Sequence, residues 1–161
     1  MDEPKKKLQR TSLATSAKSW ALESLDSVSS KNWLTDGIVW QKCGICGNCY
    51  YPFRALCSNC LEDGLNWDLG DGEGVLLSSS RLHISFNDLY QRNGPWDIGI
   101  VSHGNDAKIF AFLDEDCSIG SKVALFATID CINELIFIAV SSDVTAQARA
   151  LKLAMRLSNL S

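Results

Sequence analysis

The chain has 161 residues, of which 46% are hydrophobic and 21% charged, and a formal net charge of −4. That is enough apolar material for one compact domain or for two small units sharing a core. It contains no apolar run of the roughly 18 residues that a membrane helix needs, and no apolar stretch follows Lys5, Lys6 and Lys7 to make a signal peptide. The expected compartment is the cytoplasm, with no membrane partner.

Residues 1–36 read as a polar tail and then a modest amphipathic helix over 13–28, carrying Leu13, Trp20, Leu22, Leu25 and Val28. The positive charge is enriched early, at Lys5, Lys6, Lys7, Arg10 and Lys18. Asp36-Gly37 is a turn signal.

Residues 37–70 form a cysteine-rich unit. The chain has seven cysteines, an odd number, with two C-x-x-C pairs. With no export signal, this argues for metal ligation and against a disulfide framework. Cys43 and Cys46 form one knuckle, and Cys57 and Cys60 form the other, ten residues further on. A two-residue spacer lets both sulfurs of a tight turn reach one ion. Ten residues suffice to run out and back, which sets the second knuckle opposite the first. Zinc favours such a tetrahedral thiolate site with bonds of about 2.3 Å. Four thiolates close the coordination shell, so one structural zinc ion is expected; iron in a rubredoxin-like site is the other candidate. Gly44 and Gly47 relieve crowding where the backbone wraps the ion. Cys49 falls where the outgoing hairpin strand begins and is predicted to be a spare thiol. Cys117 and Cys131 are expected to be small buried apolar residues.

Residues 71–141 change to a β texture. Predicted strands cover Val75 to Phe86, Asp97 to Val101, Lys108 to Leu113, Lys122 to Thr128 and Leu135 to Val140. Residues 102–106 between the second and third are a hairpin signal. Five strands after a long first one fit a small barrel of the OB type, with a sandwich as the alternative that periodicity does not separate. Residues 87–96 are read as the long first loop, which OB-folds use for binding. From residue 72 to 135 the bases are Arg81, Arg92, Lys108 and Lys122. The acids are Glu73, Asp88, Asp97, Asp106, Asp114, Glu115, Asp116, Asp130 and Glu134. That excess of acid disfavours nucleic acid, which needs clustered cations. A single-stranded nucleic-acid module remains the alternative function.

Residues 142–161 read as a helix with Val144, Ala148, Leu151, Met155 and Leu160 near one stripe, packed on its own domain. Arg149, Lys152 and Arg156 fall on another side. No nucleophile–base pair stands out. His83 and His103 are expected at the surface, and Asp114-Glu115-Asp116 reads as a solvated acidic turn.

The ordered run Cys43-Gly-Ile-Cys46-Gly, Tyr51-Pro52-Phe53-Arg54, Cys57-Ser-Asn-Cys60 resembles the ribbon of the zinc-ribbon and OB-fold acyl-CoA-associated proteins, domain of unknown function 35. Gly72-Glu73-Gly74-Val75, Gly94-Pro95-Trp96 and Ile119-Gly120 with Lys122-Val123 resemble that family's entries to successive strands. Phe53 and Ser58 stand where the family usually has proline. The resemblance covers roughly residues 15–140 and implies an N-terminal helix, a rubredoxin-like ribbon and an OB-fold. It further implies a non-catalytic auxiliary subunit beside a thiolase-fold catalytic partner, in a hetero-tetramer, sharing an acyl-CoA thioester as substrate. Arg54, Phe53, Trp96 and Arg81 are the candidate CoA contacts. Arg54 and Phe53 serve equally well as braces of the ribbon against the barrel.

Overall fold

The computed structural model describes residues 34–36, 38–51, 54–104, 107–130 and 134–158. The predicted N-terminal helix, Phe53 and Cys131 lie outside the described residues. No described helix is long and apolar enough to cross a membrane.

The strands are β1 (Leu34–Asp36), β2 (Ile38–Cys43), β3 (Cys49–Tyr50), β4 (Leu65–Gly70), β5 (Glu73–Leu82), β6 (Trp96–His103), β7 (Ala107–Leu113), β8 (Lys122–Ile129) and β9 (Leu135–Ser141). Among the described residues two helices join them, α1 (Asp88–Asn93) and α2 (Ala146–Ser158). One sheet, ordered β3-β2-β4, is the ribbon. The other runs β1-β8-β5-β6-β7-β9 and closes through β8–β9. Five strands therefore make a closed barrel, β5-β6-β7-β9-β8, with β1 added outside on β8. All barrel pairings are antiparallel except β7–β9, where Phe112 and Leu113 lie parallel to Ile138 and Ala139. This is the OB arrangement; the sandwich alternative falls away because β5 pairs with β8 and closes the sheet.

Two layers of core follow from the pleat. Leu76, Val101, Ile109, Ala111, Leu113, Val123, Leu125, Ala127, Phe137 and Ala139 fill the barrel interior. Their neighbours Phe112, Phe126, Ile138 and Val140 face outward and are covered by Ala146, Ala150, Leu153, Ala154 and Leu157 of α2. Strands buried on both faces read as unbroken apolar runs, which is the texture of Val123–Ile129 and Phe137–Val140. The helix packs on its own barrel, as expected, but through a different stripe. Val144, Ala148 and Met155 are exposed, because the register is set by Ala146 and Ala150 seating against β8 and β9.

The first strand ends at Leu82, short of the predicted Phe86. The loop after it is partly helical: Asn87 caps α1, its Oδ1 accepting from the Leu89 amide at 3.0 Å. Where β5 and β6 approach closely, a Cβ on Gly99 would lie 2.6 Å from the Ser78 carbonyl oxygen. The ladder shifts register there, between Leu76 and Ser78, and bends β5 into the closed barrel.

Ribbon and barrel share packing. Ile38 is fully buried in the barrel core, with Trp40 and Tyr51 beside it. Tyr51 meets Phe137 edge-on at 5.2 Å. His103, expected at the surface of a turn, is only 2% exposed. Its ring lies 4.5 Å from the Trp40 ring, Nδ1 meets the Glu73 carbonyl, and Nε2 is 3.4 Å from the Asp71 carboxylate. The ribbon folds over it and removes it from solvent. His83 is exposed, as expected.

Candidate functional site

Both knuckles are built by the same backbone bonds. The Cys43 amide donates to the Asn48 carbonyl and the Cys57 amide to the Glu62 carbonyl, at 2.9 and 2.8 Å. The amides of Gly47 and Leu61 then return to the carbonyls of Cys43 and Cys57, at 3.0 and 2.9 Å. Each loop so curls its amides toward its own sulfurs; the Cys60 amide, for example, lies 3.4 Å from Cys57 Sγ.

The result is one cluster. Cys43 Sγ is 3.5 Å from Cys60 Sγ, and Cys46 Sγ is 3.4 Å from Cys57 Sγ. All four sulfurs lie within 4.8 Å of one another. A tetrahedral ion with bonds of about 2.3 Å requires sulfur–sulfur edges of about 3.8 Å, so the four fit a single metal ion. Cys49 stands apart on β3, its sulfur 3.8 Å from the Gly47 carbonyl oxygen. Burial raises its thiol, with Lys42 opposing.

The electrostatics also suit a cation. Burial raises the Cys57 thiol, but the hydroxyl of Tyr50, 3.0 Å away, and the amides of Cys60 and Asn59 outweigh it and hold the thiol at about 5. Amides of Cys46 and Ile45 lower Cys43. The Glu62 amide lowers Cys60, yet burial and the three neighbouring sulfurs push it up to about 12. Four sulfurs this close do not all ionise without a positive charge among them. Tyr50, which no sequence motif singled out, is the buried residue that completes this shell; Ser58 Oγ approaches its hydroxyl at 3.5 Å.

Arg54 is exposed on the ribbon. Its amide donates to Gln41 Oε1 at 2.8 Å and its guanidinium lies 4.8 Å from the Tyr50 ring centroid. Those contacts brace the second knuckle against β2. Arg81 and Trp96 come together elsewhere, in a cleft of about 500 Å³ between the barrel and α2. Arg81 forms a two-pronged pair with Asp97, at 2.8 and 2.9 Å. Trp96 is 2% exposed and forms the floor, its indole N–H donating to the Tyr90 carbonyl at 2.8 Å while Arg156 covers its face at 4.3 Å. The acidic turn forms the opposite wall. It is not simply solvated: Arg149 reaches Asp114 at 3.3 Å, Asp116 at 2.7 Å and Asp143 at 2.8 Å. These pairs clamp α2 to the β7–β8 connection. Lys152, one helical turn on, adds an exposed ammonium to the cleft.

No protein-family model and no curated protein matches the sequence. Among solved structures, a chain of the "Ltp2-ChsH2(DUF35) aldolase" superposes with a TM-score of 0.60. The alignment covers 88% of this chain and 100% of that one at 14% identity. The fold matches that of this solved chain. At that identity the likeness is one of architecture, and it joins ribbon and barrel in a single match.

Proposed function

We propose that the chain is a non-catalytic auxiliary subunit of a thiolase-type complex acting on acyl-CoA thioesters. It scaffolds a thiolase-fold catalytic partner in a hetero-tetramer and helps to hold the CoA moiety. The observation that supports this reading is the match, over 88% of this chain, to a chain of the "Ltp2-ChsH2(DUF35) aldolase". Of the two histidines, His83 is exposed and His103 is enclosed by Trp40 and the Glu73 carbonyl.

In this reading the ion is zinc and its role is structural. Four thiolates leave no open position for substrate. Small zinc motifs gain roughly 10–16 kcal/mol from the metal, and the ribbon tip needs it, since among the described residues its cluster is Cys43, Tyr50 and Cys57 with Cys46, Cys60 and Leu65 partly buried. Elemental analysis separates zinc from iron. The CoA contacts are Arg81 and Trp96 on the barrel and Arg54 and Phe53 on the ribbon. The cleft's size lies within the roughly 300–1,000 Å³ of small-molecule sites. Trp96 serves there as floor, since Arg156 already occupies its face.

Gentle affinity purification from the native host, followed by mass spectrometry, tests the reading. A stoichiometric thiolase-fold protein is the expected companion. A monomer without companions overturns the partner, and a salt-dependent shift with single-stranded DNA or RNA would put a nucleic-acid module in its place.

A further inference from the structure

The connection from β5 to α1 carries two apolar side chains that do nothing for their own chain. Phe86 is 108% exposed and Ile84 is 76% exposed. Isolated exposed apolar residues are ordinary, but here the backbone that bears them is held from several sides. Gln91 Oε1 accepts from the Ser85 amide at 2.6 Å, and Gln91 Nε2 donates to the His83 carbonyl at 3.4 Å. The Asn87 amide donates to Ser85 Oγ at 3.2 Å, and Asn87 caps α1. The helix is itself fixed: the Tyr90 hydroxyl donates to Asp130, at the start of the β8–β9 connection. A loop held this firmly, with its apolar side chains turned to water, costs little further ordering when it binds.

The position matters as much as the rigidity. The β5–β6 and β8–β9 connections are the two loops with which OB-folds bind their ligands, and Tyr90 ties them together. The charge around them selects the kind of ligand. On the two connections Asp88, Asp130 and Glu134 stand against Arg92, a local excess of acid that disfavours phosphate-rich surfaces. It favours a protein with an apolar pocket and a basic rim.

We infer that Ile84 and Phe86 form a preorganised anchor that inserts into an apolar pocket of the catalytic partner subunit. This rests on the auxiliary-subunit reading and names the surface that reading uses. Aromatic anchors in such pockets carry much of an interface's affinity.

The test uses the full chain with its metal, purified from the native host. A photo-crosslinking phenylalanine analogue replaces Phe86, and in a control it replaces Val144, which is equally exposed on another element. In parallel, Ile84→Ser/Phe86→Ser is compared with wild type for metal content, melting temperature and affinity for the co-purified partner. The expected result is a crosslink from position 86, and not from 144, to the same thiolase-fold protein that co-purifies with wild type. The double variant should keep its metal and melting temperature while its Kd rises about tenfold or more. A partner that co-purifies but neither crosslinks at 86 nor loses affinity for the variant overturns the anchor and leaves the auxiliary-subunit reading standing. A wild-type chain that brings down no thiolase-fold protein overturns both.

Discussion

Each knuckle ends on a residue with left-handed backbone, and only one of the two is glycine. Gly47 has φ 73° and Leu61 has φ 61°. A Cβ on Gly47 would meet nothing within 4 Å, so the cost of adding one is backbone strain alone. Gly47→Ala should therefore lose about 1–2 kcal/mol in metal-loaded denaturation. Leu61→Gly relieves the same strain but gives the unfolded chain more freedom; the expected result is between no change and a gain of about 1 kcal/mol. Asp97 gives a second expectation. Its hydrogen bond and charge pairing with Arg81 hold the carboxyl below the usual range, against the opposing effect of burial. A depressed carboxyl stabilises the fold above its unfolded value, near pH 4, and that contribution is lost as the pH falls through the folded value. Asp97→Asn should thus lower the melting temperature slightly at pH 7, and the gap to wild type should narrow as the pH falls below the unfolded value. The cysteine ligands were legible in the sequence because ligand spacing is a local property. Tyr50, Gln41 and His103 were not, because their partners are 7, 13 and 30 residues away.

The same contrast holds for elements. Alternation and apolar runs located all five barrel strands, since burial on one or both faces is written in each strand separately. Barrel and sandwich were not separable, because the deciding pairs join Glu73 to Ala124 and Phe112 to Ile138. In α2 the apolar residues were visible but the buried stripe was misassigned; three of the five seats are alanines, whose small side chains let the helix approach β8 and β9. Two substitutions separate the stripes. Leu157 is fully buried, and Leu157→Ala should cost about 2–5 kcal/mol in chemical denaturation. Met155 is 56% exposed, so Met155→Lys should stay within about 0.5 kcal/mol of wild type. Helix α1 was missed because it has only six residues, no buried side chain and no periodic pattern to reveal it.

At the scale of the whole molecule, metal and barrel support different regions. The barrel has its own double-layered core, whereas the ribbon tip packs chiefly around its cysteines. Chelation should therefore remove amide protection from residues 43–66 while β5–β9 retain theirs, as followed by hydrogen exchange and mass spectrometry. Loss of protection throughout would show that the barrel needs the ion.

The sheet order β1-β8-β5 has a consequence for how the chain assembles. The ribbon lies in sequence between β1 and β5, and β8 inserts between those same two strands. During synthesis the whole ribbon emerges some fifty residues before β8. A ribbon already closed on its metal acts as a splint, setting the gap into which β8 must slide. The long-range closure that makes β-barrels slow to fold is thereby reduced to filling a prepared slot.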